Sequence, residues 1–107
     1  MDVGYFMIFS SYGWDNQPDG ETWKEELRLA DVAADLGFDC LWSTEHHFAD
    51  YSFIPDNIQL MTHLAAKHTH IDVGTAAVIL PWHDPLRVAE QIVMLDILSE
   101  GRLRFGM

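Results

Sequence analysis

The stretch VGYFMIF, Val3 to Phe9, and the SSYGW behind it, Ser10 to Trp14, decide between the folds open to this chain. The first segment is continuously apolar, which is typical of a strand buried on both faces. The second carries neither the G-x-G-x-x-G nor the Walker pattern expected after the first strand of a nucleotide-binding open sheet. We therefore favour part of an eight-stranded α/β barrel over an open doubly wound sheet.

Further apolar runs follow along the chain, and each is separated from the one before it by a helical pattern. The predicted strands are Val3–Phe9, Phe38–Thr44, Ile71–Leu80 and Arg102–Met107. The helix starts are predicted at a capping box of Thr22 and Glu25, at Pro55-Asp56, and at Asp84 ahead of Pro85. This β-α-β-α-β-α-β order predicts an α/β fold with a parallel sheet, because a helix fills every crossover.

Composition narrows the classes of partner. The 107 residues are 49% hydrophobic, and 6 Lys and Arg against 17 Asp and Glu give a net charge of −11. A surface with this much negative charge repels phosphate backbones and anionic lipids. We therefore expect no nucleic-acid partner and no membrane partner. Cys40 is the single cysteine, and no secretory signal or apolar run of about 18–20 residues is found, so we predict a cytoplasmic protein.

Side chains able to do chemistry gather behind the predicted strands, where parallel α/β folds place their sites. Glu45, His46 and His47 follow the second strand and offer a carboxylate and two imidazoles for acid–base work. In an extended segment Glu45 and His47 point to one side and His46 to the other. A structural role, in which one imidazole caps a loop, stays open at this point.

A metal site would draw on Glu45, His46, His47 and His83. Their spacing matches no zinc signature such as H-E-x-x-H, and no cysteine assists. We therefore predict no metal.

Small residues, Gly74 to Ala77, interrupt the third strand. They either leave room for a flat ligand against the backbone or serve tight packing inside a barrel. Aromatic side chains would line a pocket at the same end of the sheet, and they are Tyr12, Trp42, Phe48 and Trp82.

These segments resemble the motifs of the bacterial luciferase-like flavin monooxygenases. Leu41–Phe48 (LWSTEHHF) resembles the family's second strand, Val73–Pro81 (VGTAAVILP) its third, and Asp84–Gly106 the next helix and fourth strand. The resemblance implies a TIM-type (β/α)8 barrel, which typically needs about 250 residues. Residues 1–107 would then be a single partial domain, the amino-terminal half of such a barrel, and we expect the chain to be incomplete.

The resemblance also implies an activity. Family members use reduced flavin mononucleotide (FMN), supplied by a separate reductase, and dioxygen to oxygenate a small organic substrate. His46 corresponds to the family's active-site histidine, and Glu45 to a carboxylate below the flavin. Ala76 and Ala77 match a non-proline cis peptide that lies against the flavin ring. The residues expected on the substrate side are Tyr12, His47 and Trp82.

Two alternatives stay open beside the oxygenase. One is a deazaflavin-dependent oxidoreductase on the same barrel, and the other is a non-catalytic luciferase-like subunit. The intact motif from Glu45 to Phe48 favours the oxygenase, and the presence of His46 counts against a non-catalytic subunit. The resemblance further implies a homo- or heterodimer.

Overall fold

The computed structural model describes residues 1–11 and 17–107. Within them, four parallel strands form one sheet in the order β1-β2-β3-β4. The strands are β1 (Gly4–Met7), β2 (Cys40–Ser43), β3 (Asp72–Thr75) and β4 (Leu103–Arg104). The crossover helices α1, α2 and α3 span Asp19–Asp35, Asn57–Lys67 and Pro85–Leu98. The predicted alternation is confirmed, and the strands follow one another in chain order, as in a barrel.

Helix boundaries follow the cap residues, with one correction. Asp56 caps α2 by accepting from the Gln59 N–H at 2.8 Å, and Asp84 caps α3 by accepting from Leu86 N–H at 2.9 Å, as predicted. The predicted capping box at Thr22 is wrong, because α1 already begins at Asp19. The Pro18 carbonyl accepts from the backbone N–H of Thr22, which therefore lies inside the first turn.

The strands are shorter than the apolar runs that predicted them. The third run was expected to stay extended to Leu80, yet β3 ends at Thr75 and a 3₁₀ turn covers Leu80–Trp82. Val78 is buried, and its N–H donates to the Gly106 carbonyl at 2.9 Å without continuing the ladder. An apolar run therefore indicates that residues are buried, whether in a strand or in a loop. Here part of the run is a buried loop that follows β3.

The two faces of the sheet carry different chemistry. The side chains of Met7, Leu41 and Val73 lie on the face of the sheet that the helices cover, and they form the core with apolar residues of α1, α2 and α3. The opposite face carries one row in register across all strands, namely Phe6, Trp42, Gly74 and Arg104. In a closed barrel this face is the interior.

The Trp42 indole explains one of the small residues of β3. A Cβ placed on Gly74 would lie 2.4 Å from a ring carbon of Trp42, and one placed on Gly4 would lie 2.5 Å from another. Gly74 therefore serves packing, the structural alternative considered for this stretch, whereas Ala76 is exposed and Ala77 is only partly buried.

We predict that Gly74→Ala in the full-length protein lowers the free energy of unfolding by about 1–3 kcal/mol, because the new methyl group overlaps the Trp42 ring. The measurement is urea unfolding followed by circular dichroism. Gly20→Ala is the matched control, since no atom lies within 4 Å of its added Cβ. That change in α1 should be neutral or stabilise by up to about 1 kcal/mol. Equal losses for both variants would contradict this packing role.

Asp31 links α1 to the end of α2. Its carboxylate accepts from Lys67 Nζ at 2.7 Å and His68 Nε2 at 2.9 Å. The hydrogen bond from Lys67, with smaller help from His68, holds the pKa of Asp31 below its usual range.

We therefore predict that Asp31 stabilises the fold above its unfolded-state pKa, and that this contribution disappears as the pH falls through its lower folded-state pKa. Asp31→Asn should lower the free energy of unfolding near pH 7 by less than about 1 kcal/mol, since the pair is partly exposed, and should therefore lower the melting temperature slightly. The difference should shrink as the pH falls through the folded-state pKa of Asp31. A gap between wild type and variant that persists unchanged at low pH would contradict the prediction. Differential scanning calorimetry across this pH range measures it.

Candidate functional site

The candidate site lies at the carboxyl ends of β2 and β3. The loop after β2, residues 44–48, meets the segment 76–83 that leads from β3 into α3. Glu45 lies between them, and its side chain is 1% exposed. The strand-end location predicted for the chemistry is therefore where these polar side chains meet.

Glu45 is the centre of a hydrogen-bond network. Its Oε1 accepts from His47 Nε2 at 2.8 Å and from His83 Nε2 at 2.6 Å. Its Oε2 accepts from the backbone N–H of Ile79 at 2.9 Å. One carboxylate thus connects the loop after β2 to both parts of the segment after β3.

These donors determine the charge of Glu45. Burial by itself would raise its pKa, because a low-dielectric environment disfavours the carboxylate. The hydrogen bonds from Ile79, His47 and His83 outweigh burial and bring the pKa below the usual range. Glu45 is therefore an anion at neutral pH, held inside the protein.

Aromatic rings lie beside this network. The His47 ring stacks on Trp82 with centroids 4.5 Å apart and planes 21° apart. Phe48 has a positive φ of 56° and is 97% exposed, and its ring lies 6.3 Å from Trp82. This arrangement presents an apolar, partly open surface beside the buried carboxylate.

His46 points away from this network, as the alternation of an extended segment predicts. Its backbone N–H donates to the Ile54 carbonyl at 2.8 Å, which fixes the loop after β2. Its Nδ1 lies 2.9 Å from the Tyr51 hydroxyl, and the two rings meet edge to face at 4.9 Å. Nε2 makes no hydrogen bond to any residue that the structure describes, so this nitrogen is available to a ligand.

The Ala76–Ala77 peptide bond is cis, and the buried Asn57 side chain contacts it. Asn57 Nδ2 donates to the Ala77 carbonyl at 3.1 Å and to the Ser43 carbonyl at 3.5 Å, and the Ala76 N–H donates to Ser43 as well, at 2.8 Å. Asn57 is 1% exposed. A flat stretch of backbone with only methyl side chains results, fixed to the end of β2.

Most predicted site residues meet here. Glu45, His47 and Trp82 form one cluster, with Ala76 and Ala77 in the segment that Glu45 fixes and His46 on the other side of the same loop. Tyr12, predicted on the substrate side, lies outside the described residues. Sequence reasoning missed Asn57 and Tyr51. The signal for Asn57 was a polar residue at the start of a helix whose inward face is otherwise apolar.

Comparison with known proteins gives a consistent result. A sequence profile of the family described as "Luciferase-like monooxygenase" matches residues 1–107. The alkanal monooxygenase alpha chain of Photorhabdus laumondii subsp. laumondii is 34% identical over 87 residues, which are 81% of this chain and 24% of that protein. The oxygenase component of the flavin-dependent trigonelline monooxygenase of Acinetobacter baylyi is 31% identical over 93 residues, 87% of this chain and 26% of that protein.

A solved structure supports the fold. The oxygenating constituent of 3,6-diketocamphane monooxygenase from Pseudomonas putida, described as a type II Baeyer-Villiger monooxygenase in complex with FMN, matches with a TM-score of 0.83 at 25% identity. The match covers 99% of this chain and 29% of that one, so the chain spans 24–29% of the length of these relatives. None of the described helices is long and apolar enough to cross a membrane.

Proposed function

The chain belongs to the luciferase-like monooxygenase family, and from this premise we propose that it supplies part of the active site of a flavin-dependent monooxygenase. In this proposal reduced FMN and dioxygen oxygenate a small organic substrate. The chain is a single partial domain, the amino-terminal part of a barrel. The observation that carries the proposal is the exposed Ala76–Ala77 backbone beside His46 and the Glu45 network.

The residues at the strand ends fit a flavin. Ala76 and Ala77 offer a flat surface free of large side chains, which suits a planar ring. Asn57 ties this surface to the end of β2, because its Nδ2 donates to the carbonyls of both Ala77 and Ser43. Glu45 lies below this surface and holds it through Ile79. Ala76, Ala77 and Glu45 would therefore hold the flavin ring, and the reduced flavin would supply the electrons for oxygen activation.

His46 is proposed as the catalytic residue. Tyr51 binds its Nδ1 and orients the ring, so that Nε2 can hold or deliver a proton at the reacting oxygen. His47 and Trp82 lie on the other side of the loop with a stacked apolar face, and we assign them to the substrate side together with Tyr12.

Partners follow from the names of the relatives. One relative is an oxygenase component, which supports a separate reductase as the source of reduced flavin here. Another is described in complex with FMN, which favours FMN over a deazaflavin. A homo- or heterodimer in the cytoplasm completes the proposal.

We predict that His46→Ala in the full-length enzyme lowers product formation by about 10²–10⁴-fold, because a positioned proton donor is lost. FMN affinity should change little, since the alanine backbone and Glu45 stay in place. Product yield with supplied reduced FMN and fluorescence titration of FMN measure the two effects. His63→Ala, at an exposed position of α2, is the matched control. Wild-type yield from His46→Ala would contradict the assignment.

The reaction class has its own test. The full-length protein is given reduced FMN or a reduced deazaflavin under ¹⁸O₂, with aldehydes, ketones and aromatic acids as probe substrates. We expect one labelled oxygen atom in the product with FMN. Substrate reduction without incorporated label, supported by the reduced deazaflavin, would instead identify a hydride-transferring relative.

A further inference from the structure

We propose that Glu45, His47 and His83 form a binding site for one divalent transition-metal ion of the zinc class. One ligand atom from each residue lies within 4.8 Å of the other two. The residues come from two separate loops, and the contact between Glu45 and His83 joins positions 38 residues apart. His46, the fourth candidate considered from the sequence, is excluded because its ring turns toward Tyr51.

The chemistry of the three groups suits such an ion. Imidazole nitrogen and carboxylate oxygen are ligand atoms that zinc binds, and Glu45 Oε1 lies within 2.8 Å of both imidazoles. Zinc binding requires each imidazole to present a ring nitrogen without a hydrogen, so the hydrogen bonds between Glu45 and the two rings are given up when the ion enters.

The distances require little rearrangement. His47 Nε2 and His83 Nε2 lie 2.8 and 2.6 Å from Glu45 Oε1. Metal–nitrogen and metal–oxygen bonds of about 2.0–2.2 Å separate neighbouring tetrahedral ligands by about 3.3–3.6 Å. Glu45 Oε1 therefore has to move away from each imidazole by about 1 Å or less, and the two imidazole nitrogens, which lie no more than 4.8 Å apart, have to reach the same spacing.

The surroundings hold the ligands in place. Glu45 Oε2 accepts from the Ile79 N–H, which fixes the carboxylate in the way that outer-shell partners fix metal ligands. The His47 ring is held by its stacking on Trp82. The His47 and His83 side chains are 15% and 26% exposed, so an ion has a path to the site and a position left for water.

The donor set selects the metal. Two imidazoles and one carboxylate with no thiolate favour Zn²⁺, Co²⁺ or Ni²⁺ over Mg²⁺ and Ca²⁺, which prefer oxygen ligands. A bound ion would connect the loop after β2 to the segment before α3 more firmly than hydrogen bonds do. The site shares Glu45 and His47 with the proposed flavin and substrate contacts, so metal binding is tested by affinity and melting temperature, which do not depend on oxygenation.

The experiment uses the full-length protein after chelator treatment and dialysis. Co²⁺ is titrated and followed by its visible absorption, and Zn²⁺ affinity is measured by competition with a chromophoric chelator. We expect one ion per chain, and a loss of affinity of more than about a hundredfold in His47→Ala and in His83→Ala, since even outer-shell losses cost about 10–100-fold. His46→Ala and His63→Ala should bind as the wild type does.

A second measurement separates lost ligands from lost folding. Zn²⁺ should raise the melting temperature of the wild type and of His63→Ala but not that of His83→Ala, whose circular dichroism should match the wild type. The histidine variants carry the test because removing the buried Glu45 endangers folding. A Zn²⁺ affinity that is the same in the wild type, His47→Ala and His83→Ala would overturn the proposal.

Discussion

A buried carboxylate that must be satisfied is the constraint on which the site depends. An unpaired charge inside a protein is costly, so Glu45 holds its place only with donors around it. The donors are a backbone N–H and two imidazoles, and each comes from a different point of the chain. Satisfying one anion therefore fixes the loop after β2, the backbone after β3 and the entry to α3 at once.

The topology could be predicted because it depends on signals that are local in the chain. Apolar runs and cap residues such as Asp56 and Asp84 place each element without knowledge of its neighbours. The errors arose where two local signals compete. Pro18 is itself extended and comes directly before α1, which therefore begins ahead of the hydroxyl at Thr22. Burial of Val78 in a loop has the same sequence signature as burial in a strand.

The site was predictable in its location and only partly in its contacts. Strand ends identify Glu45, His46 and His47, and alternation separates His46 from its neighbours. The contact of His83 with Glu45 depends on how the chain turns after Ala77, and no spacing rule describes it. Asn57 and Tyr51 were missed for the same reason, since their partners are set by tertiary structure.

The packing of Trp42 on two glycines has a consequence for how this sequence can vary. One indole spans the neighbouring strands, so the residues at positions 4, 42 and 74 behave as a single volume shared by β1, β2 and β3. A side chain gained at either glycine has to be matched by a smaller residue at position 42. Substitutions at positions 4, 42 and 74 are therefore coupled, and this face of the sheet accepts a larger residue at one of them only with a smaller one at another.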